Sequence, residues 1–119
     1  FPYWLDYGCA ECWIKPAIIA TLPDLVRLPP MSLPRGVAVN LGNAYPVNLF
    51  DHLFVALWNG IDGGQRVVRI DPRDTPDSVP SAFVTGLIRP TDVTFDPAGN
   101  LVVVDYVYGR VWRIVYAGA

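Results

Sequence analysis

The segment that decides the fold runs from Arg89 to Asp105 and reads RPTDVTFDPAGNLVVVD. Polar and apolar residues alternate on both sides of the turn sequence DPAGN, which predicts two antiparallel β-strands at 89–95 and 99–105. The sequence RVWRI at 110–114 alternates in the same way, so we expect a third strand there. Three short strands joined by tight turns predict a β-meander.

The same three units occur earlier in the chain. The matching segments are 33–39, 51–57 and 66–70, which correspond in order to 89–95, 99–105 and 110–114. A fourth strand is predicted at 82–87 (AFVTGL), and its counterpart AIIATL lies at 17–22, ahead of the first copy. Four short antiparallel strands, repeated at about 40–50 residues, are typical of the blades of a β-propeller.

We therefore predict an all-β protein in which residues 17–119 hold the strands of about two four-stranded propeller blades. Residues 33–87 are expected to form one full blade. Segment 17–22 is expected to be the outer strand of a blade completed by 89–116 of a neighbouring subunit or of the same ring. Residues 1–16 are predicted to be an irregular, aromatic-rich cap. On periodicity alone, a single Greek-key sandwich or barrel is the alternative.

Composition agrees with a β protein and excludes some partners. The chain has 119 residues, of which 52% are hydrophobic and 12 are proline, so it can bury a core. A net charge of −2 gives no electrostatic reason to expect a nucleic-acid partner. The sequence contains no run of 18 apolar residues, so we expect no membrane span.

Cys9 and Cys12 form a C-x-x-C motif. This spacing fits a redox pair, half of a zinc site or a local disulfide. A zinc site would need two more ligands, and the single histidine, His52, lies forty residues further on.

From about Leu28 to Tyr116 the chain resembles the C-terminal part of the soluble quinoprotein glucose dehydrogenase and sorbosone dehydrogenase family. The stretches that carry the resemblance are 28–38, 45–59, 66–70 and 89–105. Members are six-bladed propellers that oxidise sugars with pyrroloquinoline quinone (PQQ) and calcium. The last stretch is also similar to an NHL-type propeller repeat.

The resemblance implies a module of a PQQ-dependent sugar dehydrogenase that is inactive as an isolated chain. The family's histidine base and calcium loop belong to earlier parts of its chain, and Trp58-Asn59 runs into Gly60 where members usually carry arginine. No catalytic or metal-binding residue is therefore assigned here, and PQQ and calcium are expected only in a complete propeller. The alternative is a non-catalytic propeller subunit for binding or assembly.

The resemblance implies one cofactor-binding candidate, Arg89, whose guanidinium could bind an anionic ligand through two parallel hydrogen bonds. The competing interpretation is an ion pair between Arg89 and an aspartate of the next blade. We interpret His52 as a surface or turn-capping histidine. Four aromatic residues are expected to pack between blades rather than to form a sugar platform: Trp58, Tyr106, Tyr108 and Trp112.

The resemblance also implies an extracytoplasmic protein, periplasmic or secreted, and hence an oxidised Cys9–Cys12 disulfide. The expected partners are other propeller blades, supplied by a homotrimer or by another chain, and a sugar. Three copies of two blades give the family's six. In such a ring, 17–22 of one subunit would pair with 110–116 of the next.

Overall fold

Seven β-strands make up most of the regular structure. The computed structural model describes residues 24–59 and 65–118. The strands are β1 (Pro34–Val39), β2 (Leu53–Leu57), β3 (Arg66–Ile70), β4 (Ser81–Val84), β5 (Pro90–Phe95), β6 (Leu101–Asp105) and β7 (Arg110–Ile114). Within the described residues, the single helical element is a short 3-10 turn at Val47–Leu49. The prediction of an all-β protein is confirmed.

The strands form two antiparallel sheets in which neighbours along the chain are neighbours in space. Sheet 1 has the order β1-β2-β3-β4, and sheet 2 has the order β5-β6-β7. A Greek key needs a strand that returns to lie beside the first strand of the motif. None of the described strands does so, because both sheets are simple meanders. This topology is consistent with partial propeller blades.

Both sheets begin with the same irregularity. The pairing of β1 with β2 shifts by one residue between Pro34 and Gly36, and that of β5 with β6 shifts between Pro90 and Asp92. Proline lacks the N–H that a central strand needs, so it is tolerated at a bulge on an edge strand. The repeated bulge shows that the correspondence between segments 33–39 and 89–95 extends to backbone geometry.

The core lies mainly between the two sheets. One cluster joins Phe54, Ala56 and Val67 of sheet 1 to Val93, Leu101 and Val103 of sheet 2. A second cluster, formed by Val55, Leu57, Val68 and Ile70, lies on the opposite face of sheet 1. Val26 and Leu28 pack against this second cluster. Alternation along β2 and β3 therefore buries both faces of sheet 1.

Some predictions fall outside the described residues. These are the cap at 1–16, the strand at 17–22 and the state of Cys9 and Cys12. Among the described strands, sheet 2 has three members and β7 pairs only with β6. The described ranges contain no helix long and apolar enough to cross a membrane.

Candidate functional site

Two arginines lie over one tryptophan at the end of the sheets where β1 and β5 begin. The guanidinium carbon of Arg35 is 5.3 Å from the centre of the Trp58 ring, and that of Arg89 is 5.8 Å from it. Both distances fit cation–π contacts, which stabilise a guanidinium without neutralising its charge. The result is a concentrated positive charge beside an aromatic surface.

Strand geometry explains why these side chains meet. Arg35 is the extra residue of the β1 bulge, and a bulge turns a side chain away from the regular alternation. Trp58 follows the last residue of β2, and its backbone N–H donates to the carbonyl of Leu33 at 3.1 Å. Arg89 immediately precedes β5. The starts of β1 and β5 and the end of β2 thus lie together at one end of the two sheets.

A buried carboxylate holds the backbone that carries Arg89. Asp105 is 5% exposed, and its two oxygens accept hydrogen bonds from the backbone N–H groups of Ile88 (3.0 Å) and Arg89 (2.7 Å). The carbonyl of Arg89 in turn accepts from the backbone N–H of Tyr106 at 2.9 Å. Both carboxylate oxygens of Asp105 therefore accept backbone hydrogen bonds, and these bonds fix the position of Arg89.

The sequence interpretation of the aromatic residues is confirmed for Trp58 and Tyr106, whereas Tyr108 and Trp112 are 68% and 42% exposed. Trp58 follows β2 in sheet 1, Tyr106 follows β6 in sheet 2, and their ring centres are 5.1 Å apart at an angle of 48°. This contact joins the two sheets, as expected for packing between blades. It also forms one wall of the arginine site.

The predicted ion pair of Arg89 with an aspartate is not formed within the described residues. Its guanidinium Nη1 instead donates to the carbonyl oxygens of Ile88 at 3.3 Å and Trp58 at 3.5 Å. Of the carboxylates in 24–59 and 65–118, none is within 4.0 Å of a guanidinium nitrogen of Arg35 or Arg89. Arg89 is half-buried and Arg35 is exposed, so both remain accessible to an anion.

A second polar cluster surrounds His52 at the opposite end of β2. His52 is 4% exposed, so the interpretation as a surface histidine is wrong. Its Nδ1 is 3.1 Å from Nη1 of Arg69, and its Nε2 is 3.4 Å from an oxygen of Asp71. An arginine only donates, so Nδ1 must accept and the proton lies on Nε2. Because both ring nitrogens are engaged, His52 has no free position for general-base chemistry.

Arg73 completes this cluster from the turn after β3. It makes a two-point contact with the carboxylate of Asp51, at 2.9 and 3.1 Å, and its Nε is 2.9 Å from Asp71. The hydrogen bond from the Arg73 side chain lowers the pKa of Asp51. The pKa of Asp71 is lowered first by the backbone N–H of Arg73. These paired charges stabilise a turn, and both arginines of this cluster, Arg69 and Arg73, are already paired.

A surface cavity lies away from both clusters. It measures about 440 Å³ and is lined by Leu41, Gly42, Asn43, Tyr45, Val47 and Phe50. Tyr45 contacts the start of β6, the opposite end of that strand from Asp105. The cavity has no charged lining residue, so the arginine site is the better candidate for ligand binding.

Sequence reasoning identified Arg89 as a candidate. It did not predict that Asp105 holds the backbone of Arg89 or that Arg35 lies over the same Trp58 ring. The signal for Asp105 was present, because it follows Leu101 and Val103 in the alternation of β6 and so faces the interior. A carboxylate at such a position requires hydrogen-bond donors. The contribution of Arg35 had no local signal, since it depends on the bulge. No protein-family model matches the chain, and no curated protein sequence matches it.

Proposed function

We propose that this chain is a β-propeller module of the PQQ-dependent sugar dehydrogenase type, inactive by itself, that supplies Arg89 and Arg35 to an anionic ligand. The observation that carries the proposal is the placement of both guanidiniums over Trp58, without a carboxylate partner among the described residues. The cofactor of such enzymes is a quinone that carries carboxylates.

The chemistry of the site supports carboxylate binding. A guanidinium is planar and presents paired N–H donors that match the two oxygens of a carboxylate. Asp105 holds the backbone of Arg89, so less conformational freedom is lost when the ligand binds. The ring of Trp58 keeps the two like charges close together without pairing them.

PQQ and calcium fit the described residues differently. Arg35 and Arg89 suit the carboxylates of PQQ. In the described residues no group of three or more His, Cys, Asp or Glu side chains could hold a metal ion. The described residues therefore offer no carboxylate cluster for calcium, and we assign no calcium ligand among them.

One observation favours the alternative, a non-catalytic propeller subunit for binding or assembly. Sugar oxidation by this class requires a base to accept the hydroxyl proton. The only histidine of the chain, His52, is buried with both nitrogens engaged. The base must therefore come from other sequence, or the module does no chemistry.

Calorimetric titration with PQQ tests the anion site. We expect binding to the chain in its native assembly to weaken about tenfold or more in Arg89→Gln, and also to weaken in Arg35→Gln, because each removes a charge-assisted hydrogen bond. Arg113→Gln is the matched control, since it removes the same charge from the opposite end of sheet 2, where Arg113 contacts Asp96 at 3.0 Å. Absence of PQQ binding, or equal affinity in Arg89→Gln, would refute the site.

Dye reduction separates the two functions. The chain, in its native assembly, is supplied with PQQ, calcium, glucose and a reducible dye. Sugar-dependent reduction supports the dehydrogenase, whereas PQQ binding without reduction supports the non-catalytic subunit.

The proposed compartment has its own test. An extracytoplasmic protein should contain an oxidised Cys9–Cys12 pair. Mass spectrometry of unreduced material should find no alkylated thiol, and two alkylated cysteines would contradict the proposal.

A further inference from the structure

The two sheets stack in a head-to-tail manner. We define face A of sheet 1 by Leu53, Val55, Leu57, Val68 and Ile70, and face B by Phe54, Ala56 and Val67. In the repeat, the residues of sheet 2 equivalent to face A are Leu101, Val103, Trp112 and Ile114, and those equivalent to face B are Val102, Val104 and Val111. Leu101 and Val103 of face A in sheet 2 pack against face B of sheet 1. Face A of one sheet therefore packs against face B of the other. A further sheet can repeat this contact because one face of each kind is left over.

Sheet 2 leaves its own face B open. Val111 is 66% exposed and Val104 is 38% exposed, whereas their equivalents in sheet 1, Val67 and Ala56, are both 0% exposed. The difference arises because sheet 2 covers face B of sheet 1. Nothing among the described residues covers the corresponding face of sheet 2.

The β7 edge of sheet 2 is open as well. In sheet 1, β4 pairs with the equivalent strand β3, with Val67 opposite Val84 and Val68 opposite Ala82. No described strand pairs with the outer side of β7, although Val111 and Trp112 stand where Val67 and Val68 stand in the repeat. An open edge with exposed apolar side chains favours the addition of a strand.

We propose that residues 17–22 of a second copy of this chain add to β7 as its fourth strand, and that sheet 1 of that copy stacks on the open face B. The sequence AIIATL at 17–22 matches AFVTGL at 82–87, which contains β4 apart from its first residue. The register of β3 and β4 then places Ile19 opposite Val111 and Ala17 opposite Trp112. This inference rests on the propeller module of the proposed function and is independent of quinone binding.

The entry of the chain into sheet 1 supports a partner in a second copy. Val26 and Leu28 pack on face A of sheet 1, the face turned away from sheet 2. Leu87, which follows β4, packs between the sheets in the equivalent way. Face A is therefore the side of sheet 1 on which a preceding sheet would stack.

Chain length favours a partner in a second copy. Four residue steps separate Val26 from Leu22 and span about 14 Å at most. Sheet 1 stands between Val26, which packs on face A, and sheet 2, which covers face B. A sheet of a second copy stacked on face A is therefore nearer to Val26 than β7 of the same chain. Repetition of this contact by a three-fold rotation gives a ring of six sheets.

Crosslinking and mass test the proposal. In a Cys9→Ser/Cys12→Ser background, an Ile19→Cys chain is mixed with a Val111→Cys chain and oxidised. We expect disulfide-linked pairs that contain one chain of each kind. Ile19→Cys mixed with Val79→Cys is the matched control, since Val79 is 88% exposed and lies outside the strands. Light scattering of the unmodified chain should give about 39 kDa, three times the chain mass of 13.1 kDa.

Several outcomes would overturn the proposal. They are a monomer by light scattering, equal crosslinking of the Val111 and Val79 variants, or disulfides formed only within one chain when both substitutions are placed together. If the cysteine variants lose their β-sheet circular dichroism, the mass of the unmodified chain still decides. A failure of PQQ binding with an intact trimer refutes the anion site and leaves this inference standing.

Discussion

Tyr45, in the connection between β1 and β2, accepts a hydrogen bond at 2.8 Å from the backbone N–H of Leu101 on β6. Its hydroxyl also donates to the carbonyl of Ile114 on β7. The ring packs edge-on against Phe83 and Phe95, with ring centres 5.8 and 6.4 Å away. A single side chain from the first meander thus satisfies backbone groups on two strands of the second.

Tyr45→Phe should destabilise the protein by about 1–3 kcal/mol, because it leaves the buried N–H of Leu101 and the carbonyl of Ile114 without a partner. The ring itself stays in place. Chemical denaturation followed by circular dichroism measures the loss. Phe83→Tyr, which adds a hydroxyl without removing an inter-sheet bond, is the comparison, and an unchanged midpoint for Tyr45→Phe would contradict this account.

Tyr45 should also make the free energy of unfolding fall at alkaline pH. Burial raises the pKa of its hydroxyl above the usual 10.0, more than the hydrogen bond from Leu101 lowers it. Because the folded-state pKa lies above that of the unfolded chain, the stabilisation is complete below about pH 10 and is lost as the pH rises through the folded value. Between pH 9 and pH 11, about one unit on each side of the ordinary tyrosine pKa of 10.0, wild type should lose more unfolding free energy than Tyr45→Phe does. Equal losses would refute the assignment.

Asp96 should contribute acid sensitivity of the opposite sign. The backbone N–H of Asn100 lowers the pKa of Asp96 below 3.8, and the Arg113 side chain lowers it further. A lowered folded pKa gives stability that is present above about pH 4 and lost as the pH falls through the folded value. Asp96→Asn should therefore lose less unfolding free energy on acidification than wild type does. Asp77→Asn, at an exposed position, is the control for the same change in net charge.

Gly36→Ala should be disruptive although the position is extended. A Cβ at Gly36 would lie 2.3 Å from a carboxylate oxygen of Asp92 and 3.0 Å from its Cα, so the Asp92 side chain must move and the backbones of β1 and β5 must shift slightly apart. We expect a loss of about 1–3 kcal/mol, as for overpacked sites. Val37→Thr, a β-branched exchange at the next and 61% exposed position, should change stability by less than about 0.5 kcal/mol. Similar thermal midpoints for the two variants would argue against the close approach.

His52 should accept a hydrogen bond at Nδ1 and carry its proton on Nε2, because Arg69 can only donate to Nδ1. The chain has one histidine, so its ring nitrogens can be assigned without ambiguity. Long-range proton–nitrogen correlation spectra should show Nε2 protonated and Nδ1 as an acceptor at neutral pH. In Arg69→Leu this preference should weaken. A wild-type spectrum with Nδ1 protonated would overturn the hydrogen-bond assignment.

Local pattern was sufficient to predict the strands. Alternation along 101–105 and 110–114, and the turn at 96–100, depend on neighbouring residues alone, so β6 and β7 were predicted to within two residues of their bounds. Their repeat with 53–57 and 66–70 also predicted two meanders. The least accurate boundary is that of β4, which ends at Val84 rather than at Leu87. Gly86, with φ of +84°, leaves the extended conformation there and ends the strand.

The sequence by itself determined the strands, their order and the proline-initiated repeat, because side-chain alternation and turn chemistry act over a few residues. Only the tertiary structure decided that Arg35 and Arg89 converge on Trp58 and that His52 is buried. Arg35 and Arg89 are 54 positions apart in the chain, and their proximity depends on a bulge and on how one sheet stacks on the other. Such contacts follow from packing two apolar faces, which places their polar edges together without any local signal.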